Sequence, residues 1–225
     1  MSDLTNNQSG LIFGSFCADA LSLGVHWFYD PNKLMQKHGR VTSYKTPGPD
    51  SYHPHKQAGE QGHVGDQALC LLSFLSRKKS WNAAAFMDKW LAMWPDYNDY
   101  VDGATKATLT NLQNESDKTH GGSDSVEIAG AARIAPLISY LAHSTEEEVV
   151  RASVEQTMLT HRSAEAEEST VFLAKAGYRL IHGANLSDTL NETAPVWALE
   201  KAKAVLSENP VDAIAKLGAA CSISS

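Results

Sequence analysis

With 225 residues, 43% of them hydrophobic and 20% charged, the chain can bury one sizeable core, so a single domain spanning 1–225 is expected. Its 19 basic and 26 acidic side chains give a formal charge of −7 with no basic cluster, which argues against electrostatic capture of nucleic acid or an anionic membrane. Cys17, Cys70 and Cys221 do not form a disulfide framework, and the polar start Met1 to Gly10 lacks the basic opening of a secretory signal, so a cytoplasmic setting is the default.

The first apolar run, Leu11 to Phe28, reads as a core helix with one carboxylate, Asp19, inside it. That acid and its neighbouring serines argue against a membrane span. Gly14, Ser15, Ala18 and Ser22 would form a small-residue stripe for a closely approaching helix, and Cys17 and Cys70 read as small core hydrophobes. A buried Asp19 needs a partner, because an unpaired ionised carboxylate costs several kcal/mol. It is therefore either a structural ion pair or helix-end hydrogen bond, or part of a site.

From about Gly39 to Gly65 the chain is rich in Gly, Pro, His, Ser and Tyr without an apolar period, which predicts a long loop. Helical pattern resumes at Asp66, where Leu69, Leu72 and Leu75 share a face. Further helices are predicted at about 82–94, 102–114, 124–142, 145–160, 164–183, 187–205 and 209–219, with Pro195 kinking or splitting the penultimate one. Ser144 and Thr145 followed by Glu146, Glu147 and Glu148 mark a helix start, and Trp81, Trp90 and Trp94 read as core packing. No strand signal competes, so the fold class is all-α, a single multi-helix orthogonal domain.

Several residues carry both a plain and a chemical reading. Asp66 and Asp102 sit at loop-to-helix junctions, where Asp is a favoured cap. The run Gly121-Gly122-Ser123 either offers backbone N–H groups to a phosphate or is a turn entering the next helix. Thr160-His161 closes a predicted helix, where a histidine complements the dipole. Arg133, alone among apolar neighbours, either snorkels outward or pairs with a buried acid such as Asp19. His53, His55 and His63 with Asp66 imitate a zinc pattern, but nothing regular would hold them tetrahedrally.

Taken in order, Ala18-Asp19-Ala20-Leu21-Ser22-Leu23-Gly24-Val25-His26-Trp27, Gly62-His63-Val64-Gly65-Asp66-Gln67-Ala68-Leu69, Asp102-Gly103-Ala104-Thr105-Lys106, Gly130-Ala131-Ala132-Arg133-Ile134-Ala135-Pro136-Leu137 and Thr160-His161 resemble the ADP-ribosylglycohydrolase family. The first of these is most similar to the family's J-type crystallin branch. The resemblance implies an all-α hydrolase that cleaves the glycosidic bond of an ADP-ribosylated small molecule or protein with the help of magnesium. It implies that Asp66 is a metal ligand and, with Glu127, a catalytic residue, and that Asp19, Asp102, Gly122, Ser123 and His161 shape the ADP-ribose pocket.

Three departures accompany the resemblance. Where the family commonly has Thr-Asp-Asp-Thr this chain has Val64, Gly65, Asp66 and Gln67, and where family hydrolases usually carry a glutamate it has His26. No Gly-Gly-Asp-x-Asp motif follows, so the chain resembles the first two-thirds or more of a longer member. These departures make a crystallin-like or ADP-ribose-binding scaffold without turnover the alternative.

Overall fold

Short polar side chains delimit the helices. Asp30, Asn82, Asp102, Thr145, Ser163 and Asn185 each stand at an N-cap and accept backbone N–H groups of the first turn, and Thr145 forms a capping box with Glu148. The structure, a computed structural model, describes residues 2–195 apart from 28, 29, 79 and 116. Among them the order is α1 (Ser2–Leu23), α2 (Pro31–His38), α3 (His63–Leu75), α4 (Ala83–Leu91), a 3-10 turn (Trp94–Asp96), α5 (Gly103–Asn111), α6 (Ala129–Ala132), α7 (Ala135–Tyr140), α8 (Glu146–Met158), α9 (Ala164–Ile181) and α10 (Leu186–Thr193). Extended pairing among the described residues is confined to one parallel bridge, Ser123 with His161. The all-α expectation holds, and no helix of the described residues is long and apolar enough to cross a membrane.

Two clusters make the core. Leu71, Phe74, Phe86, Met87, Trp90, Leu137 and Leu159 join α3, α4 and α7 to the end of α8. Ile134, Ile138, Val149, Ala174 and Ile181 join α7, α8 and α9. Trp90 is fully buried as expected, with Trp94 set edge-on against it at 5.0 Å and Trp81 packed beside the cluster.

Several expectations are corrected. The first helix starts at Ser2, and α2, flanked by the Asp30 cap and Pro31, has too few apolar residues to show a period. The small-residue stripe of α1 is not a packing seam: Gly14, Ala18 and Ser22 are exposed, nothing lies within 4 Å of a Cβ placed on Gly14, and Cys17 is exposed while Cys70 is buried. The helix over 124–142 is broken into α6 and α7, because residues 123–128 are drawn out along the chain at 160–163 and Pro136 starts a new helix. The 3-10 turn takes the end of the 82–94 prediction. The helix expected from 187 starts at Leu186 and ends at Thr193, two residues before Pro195; the remainder of that prediction, the helix at 209–219 and Cys221 lie outside the described residues.

Candidate active site

The N-terminus of α3 has no cap of its own, because Gly62 occupies the N-cap position. Asp19 of α1 supplies the missing acceptor: the Gly62 N–H donates to its Oδ2 at 2.6 Å, and the Gly65 N–H donates as well. Gly65 is required there, since any Cβ would overlap Asp19 Oδ2. Burial raises the Asp19 pKa against the lowering effect of these amides, with the charge of Asp66 adding to the rise. Asp19 therefore makes the helix-end hydrogen bond, one of the readings open for it.

One turn into α3, Asp66 faces the long loop. Its Oδ2 lies 2.5 Å from the ammonium of Lys56 and accepts the Tyr97 O–H at 2.8 Å. Burial, followed by the nearby Asp66 charge, pushes the Tyr97 phenol far up, so it remains a donor. The pair lies on the wall of a cavity of about 530 Å³ that Glu60, Lys89 and Asp99 also line. A second cavity, about 880 Å³, lies between α4, α8 and α9 and contains none of the expected site residues.

The segment between the 3-10 turn and α5 contributes Tyr97 to Asp66, Asp99 to His53, and Asp102 to His63. Asp102 does two jobs. Its Oδ1 accepts the Thr105 N–H at 2.7 Å and so caps α5, while its Oδ2 lies 3.1 Å from His63 Nε2. Burial works to raise its pKa, but the hydrogen bond and charge of His63, with Thr105, carry it below the usual carboxylate range. The other ring nitrogen of His63, Nδ1, is buried with no hydrogen-bond partner among the described residues. Tyr100 joins the two histidines, edge-on to His53 at 5.7 Å and to His63 at 5.8 Å.

Across from these, Ser123 is stitched to the turn after α8. Its N–H donates to Thr160 O at 3.0 Å and its hydroxyl to the same oxygen at 2.7 Å, while Arg162 N–H donates to Ser123 O at 2.6 Å. The Gly121-Gly122-Ser123 run is therefore no phosphate cradle at Ser123, because that amide is already paired, and it enters an extended segment rather than a helix. Gly122 is required by close packing, since a Cβ there would come within 2.5 Å of Met158 O. His161 is 1% exposed, with Nδ1 2.9 Å from Thr160 Oγ1 and Nε2 left without a partner among the described residues. Burial and then the charge of Arg133 lower its pKa to about 4, so the ring is neutral.

Arg133 follows neither of its expected readings. It is 1% exposed and donates to Gln67 Oε1 and Thr160 Oγ1, with Gln156 on its Nε, so its partners are neutral amides and a hydroxyl. Trp90 Nε1–H shares Gln67 Oε1 at 2.7 Å, which ties the arginine to the core. Burial pushes the guanidinium down to about 10, still charged at neutral pH. Glu127 is exposed beyond this layer, and burial of part of its side chain, then the charge of Asp102, raises its pKa while His63 opposes. Glu127, Asp102, His63 and His161 thus share one electrostatic neighbourhood.

Magnesium needs several oxygen ligands in near-octahedral order. Among the described residues no group of three or more His, Cys, Asp or Glu side chains converges in a way that would hold a metal ion. Asp66 is engaged by Lys56 and Tyr97, so the donor set here does not fit a magnesium cage. The imitation zinc pattern also dissolves, with His53 on Asp99, His63 on Asp102 and His55 exposed. Sequence reasoning missed Lys56, Tyr97, His53 as a buried partner, and Asp99; the alternation of Tyr and Asp from Tyr97 to Asp102 was the available signal.

Comparison with known proteins adds three findings. The family model described as ADP-ribosylglycohydrolase matches residues 2–223. A solved structure named "ADP-ribosylglycohydrolase-related protein complex" is similar with a TM-score of 0.68 at 21% identity, covering 93% of this chain and 69% of that one, which is a likeness of fold. No curated protein matches the chain.

Proposed function

Because this chain belongs to the ADP-ribosylglycohydrolase family, we propose that it is a hydrolase of the glycosidic bond at the ribose of an ADP-ribosyl group, taken from a small molecule or a protein. The observation that carries the reading is Glu127, a carboxyl whose pKa is raised by partial burial and then by the charge of Asp102, which is itself paired with His63. Two acids whose environments push their pKa values in opposite directions are the arrangement in which one donates a proton while the other stays charged.

Glu127 protonates the departing group, and Asp102 holds His63 in place with charge that favours a developing oxocarbenium ion. Thr160, held by Arg133, ties the His161 turn to Ser123 next to these groups. Asp66 stays with Lys56 and Tyr97 through both steps.

Release of free ADP-ribose from an ADP-ribosylated peptide, followed by chromatography, tests the reading. The wild-type chain releases it, and Glu127→Gln lowers kcat by about 10²–10⁴-fold with little change in KM, the range for loss of general acid catalysis. Release at the wild-type rate by Glu127→Gln contradicts the assignment. The second reading, a crystallin-like scaffold that binds without turnover, is favoured by the Lys56–Asp66 pair, and ADP-ribose binding with no release supports it.

A further inference from the structure

His26, which stands where family hydrolases usually carry a glutamate, ends a line of three hydrogen-bonded side chains. Asp99 Oδ2 is 3.2 Å from His53 Nδ1, and His53 Nε2 is 3.2 Å from His26 Nδ1. The inner side chains are almost wholly withdrawn from water, His53 at 0% and Asp99 at 3% exposure, with Asp99 bordering the cavity beside Asp66, while His26 is an exposed residue. The two ring planes are 14° from parallel with centroids 5.4 Å apart, which suits an N–H···N bond. The other oxygen of Asp99 has no partner among the described residues, so its known contact is to His53.

Hydrogen placement follows from this order. A carboxylate only accepts, so His53 Nδ1 carries a hydrogen, its Nε2 accepts, and His26 Nδ1 must be the donor. That leaves the lone pair of His26 on Nε2. The backbone holds the ring in place at some cost: Trp27, the next residue, has φ 74°, rare for a bulky side chain. Trp27 stacks on His26 at 4.5 Å and is enclosed by Tyr52 and Tyr100 at 5.0 and 5.3 Å. The charged or titratable groups facing the line are His63 toward His26, Asp19 and Tyr100 toward His53, and Tyr97 toward Asp99. His63 also acts on the charge of Glu127, so His26 and Glu127 feel the same histidine.

We propose that His26 is the general base of this site, with His53 and Asp99 as positioning residues that fix its tautomer and receive the charge it gains. This rests on the hydrolase reading. Water adds to the anomeric carbon and gives a proton to His26 Nε2. The bond to the departing group breaks with its electron pair on that group, which takes the proton of Glu127. The His26 Nδ1 proton shifts to His53 Nε2, and the positive charge rests against Asp99. Solvent then carries the proton held by the histidine line back to Glu127, so one water is consumed and no oxidant or further reactant enters. Desolvation of the ring and the neighbouring His53 and His63 lower the His26 pKa, which keeps the lone pair free at neutral pH.

Imidazole ¹⁵N NMR of the wild-type full chain near neutral pH reads the tautomers without substrate. Nδ1–H on both His26 and His53 is expected; Nε2–H on His26 overturns the relay. In Asp99→Asn the amide donates to His53, both tautomers flip, and carbethoxylation of His26 by diethyl pyrocarbonate slows by about tenfold. An unchanged rate in a folded variant overturns the positioning role, and the wild-type tautomer decides the matter if the variant does not fold. With hydrolysis present, His26→Gln lowers kcat by about 10²–10⁴-fold and leaves KM close to wild type; an unaffected kcat overturns the base assignment. Expected tautomers with no hydrolysis of any ADP-ribosyl substrate overturn the hydrolase reading and the base assignment built on it, while the relay geometry stands.

Discussion

The Lys56 ammonium and the Asp66 carboxylate meet at 2.5 Å, ten residues apart, where the family resemblance calls for a divalent ion. Both side chains are largely withdrawn from water, at 15% and 18% exposure, and Tyr97 fixes the same oxygen. Lys56→Met leaves Asp66 without its cation and is expected to cost about 1–3 kcal/mol in denaturant unfolding, between the ranges for exposed and buried pairs. The wild-type midpoint is expected to be the same in millimolar magnesium and in EDTA, whereas a metal held by Asp66 would raise it by mass action.

Asp19 acts on stability through the start of α3. Asp19→Ala removes the acceptor of the Gly62 and Gly65 amides and is expected to cost about 1–2 kcal/mol, the range of a lost cap. Asp19→Asn keeps an acceptor and removes a carboxylate whose pKa folding raises, so it is expected to stay much closer to wild type at pH 7. The sign follows from linkage: a raised folded pKa favours the folded state below the unfolded value and is lost as pH rises through the folded one. Gly65→Ala, which forces a Cβ onto Asp19, is expected to cost about 1–3 kcal/mol. Urea unfolding of the three variants checks the order.

His161 makes the protein acid-sensitive in a defined window. Folding holds the buried ring neutral down to about 4, whereas the unfolded chain takes up the proton near 6.5. The unfolded state therefore binds more protons between these values, and stability falls as pH is lowered from 6.5 to about 4. For one fully buried group the fall amounts to roughly 3 kcal/mol. Asp102, with a depressed pKa, adds its own loss only below the ordinary carboxylate range. Unfolding free energies measured at intervals through the window, for wild type and His161→Gln, are expected to differ in slope above pH 4 and run parallel below it.

Arg133 is a charge buried among neutral partners. Removing the donor leaves the buried oxygens of Gln67, Gln156 and Thr160 with fewer partners, which costs stability. Arg133→Met is therefore expected to lower the unfolding stability by about 1–3 kcal/mol, and at the same time to weaken ADP-ribose binding, because Thr160 loses its donor and the His161 turn is freed. Arg133→Lys, which keeps the charge and loses the fork that reaches Gln67 and Thr160 together, is expected to destabilise by about 2–4 kcal/mol. Thermal melts and calorimetric titration separate the two effects.

Helices with an apolar period and a polar cap, such as α3, α8 and α9, are legible in the sequence because both signals are local. The first ten residues and α2 are helical without such a period, and α1 is stabilised by polar anchors from afar, Asn7 on Ile181 O and Gln8 on Ser139 O. The same distinction separates the site residues. Asp66, Asp102 and His161 stand at helix ends, where residue type and position carry meaning. Lys56, His53 and Asp99 lie in segments with no period, and Asp99 meets His53 46 residues away only because the long loop folds back over α3. Arg133 was misread because an apolar setting implies a buried charge partner, and here two glutamines and a threonine suffice.

Calorimetric titration of ADP-ribose into the full chain in EDTA, repeated with magnesium, is the most direct test. A saturable one-site heat that is the same in both solutions is the expected result, since Lys56 already supplies the cation on Asp66. Binding that appears only with magnesium contradicts the place given to Lys56, and no binding in either solution contradicts the ADP-ribosyl pocket itself.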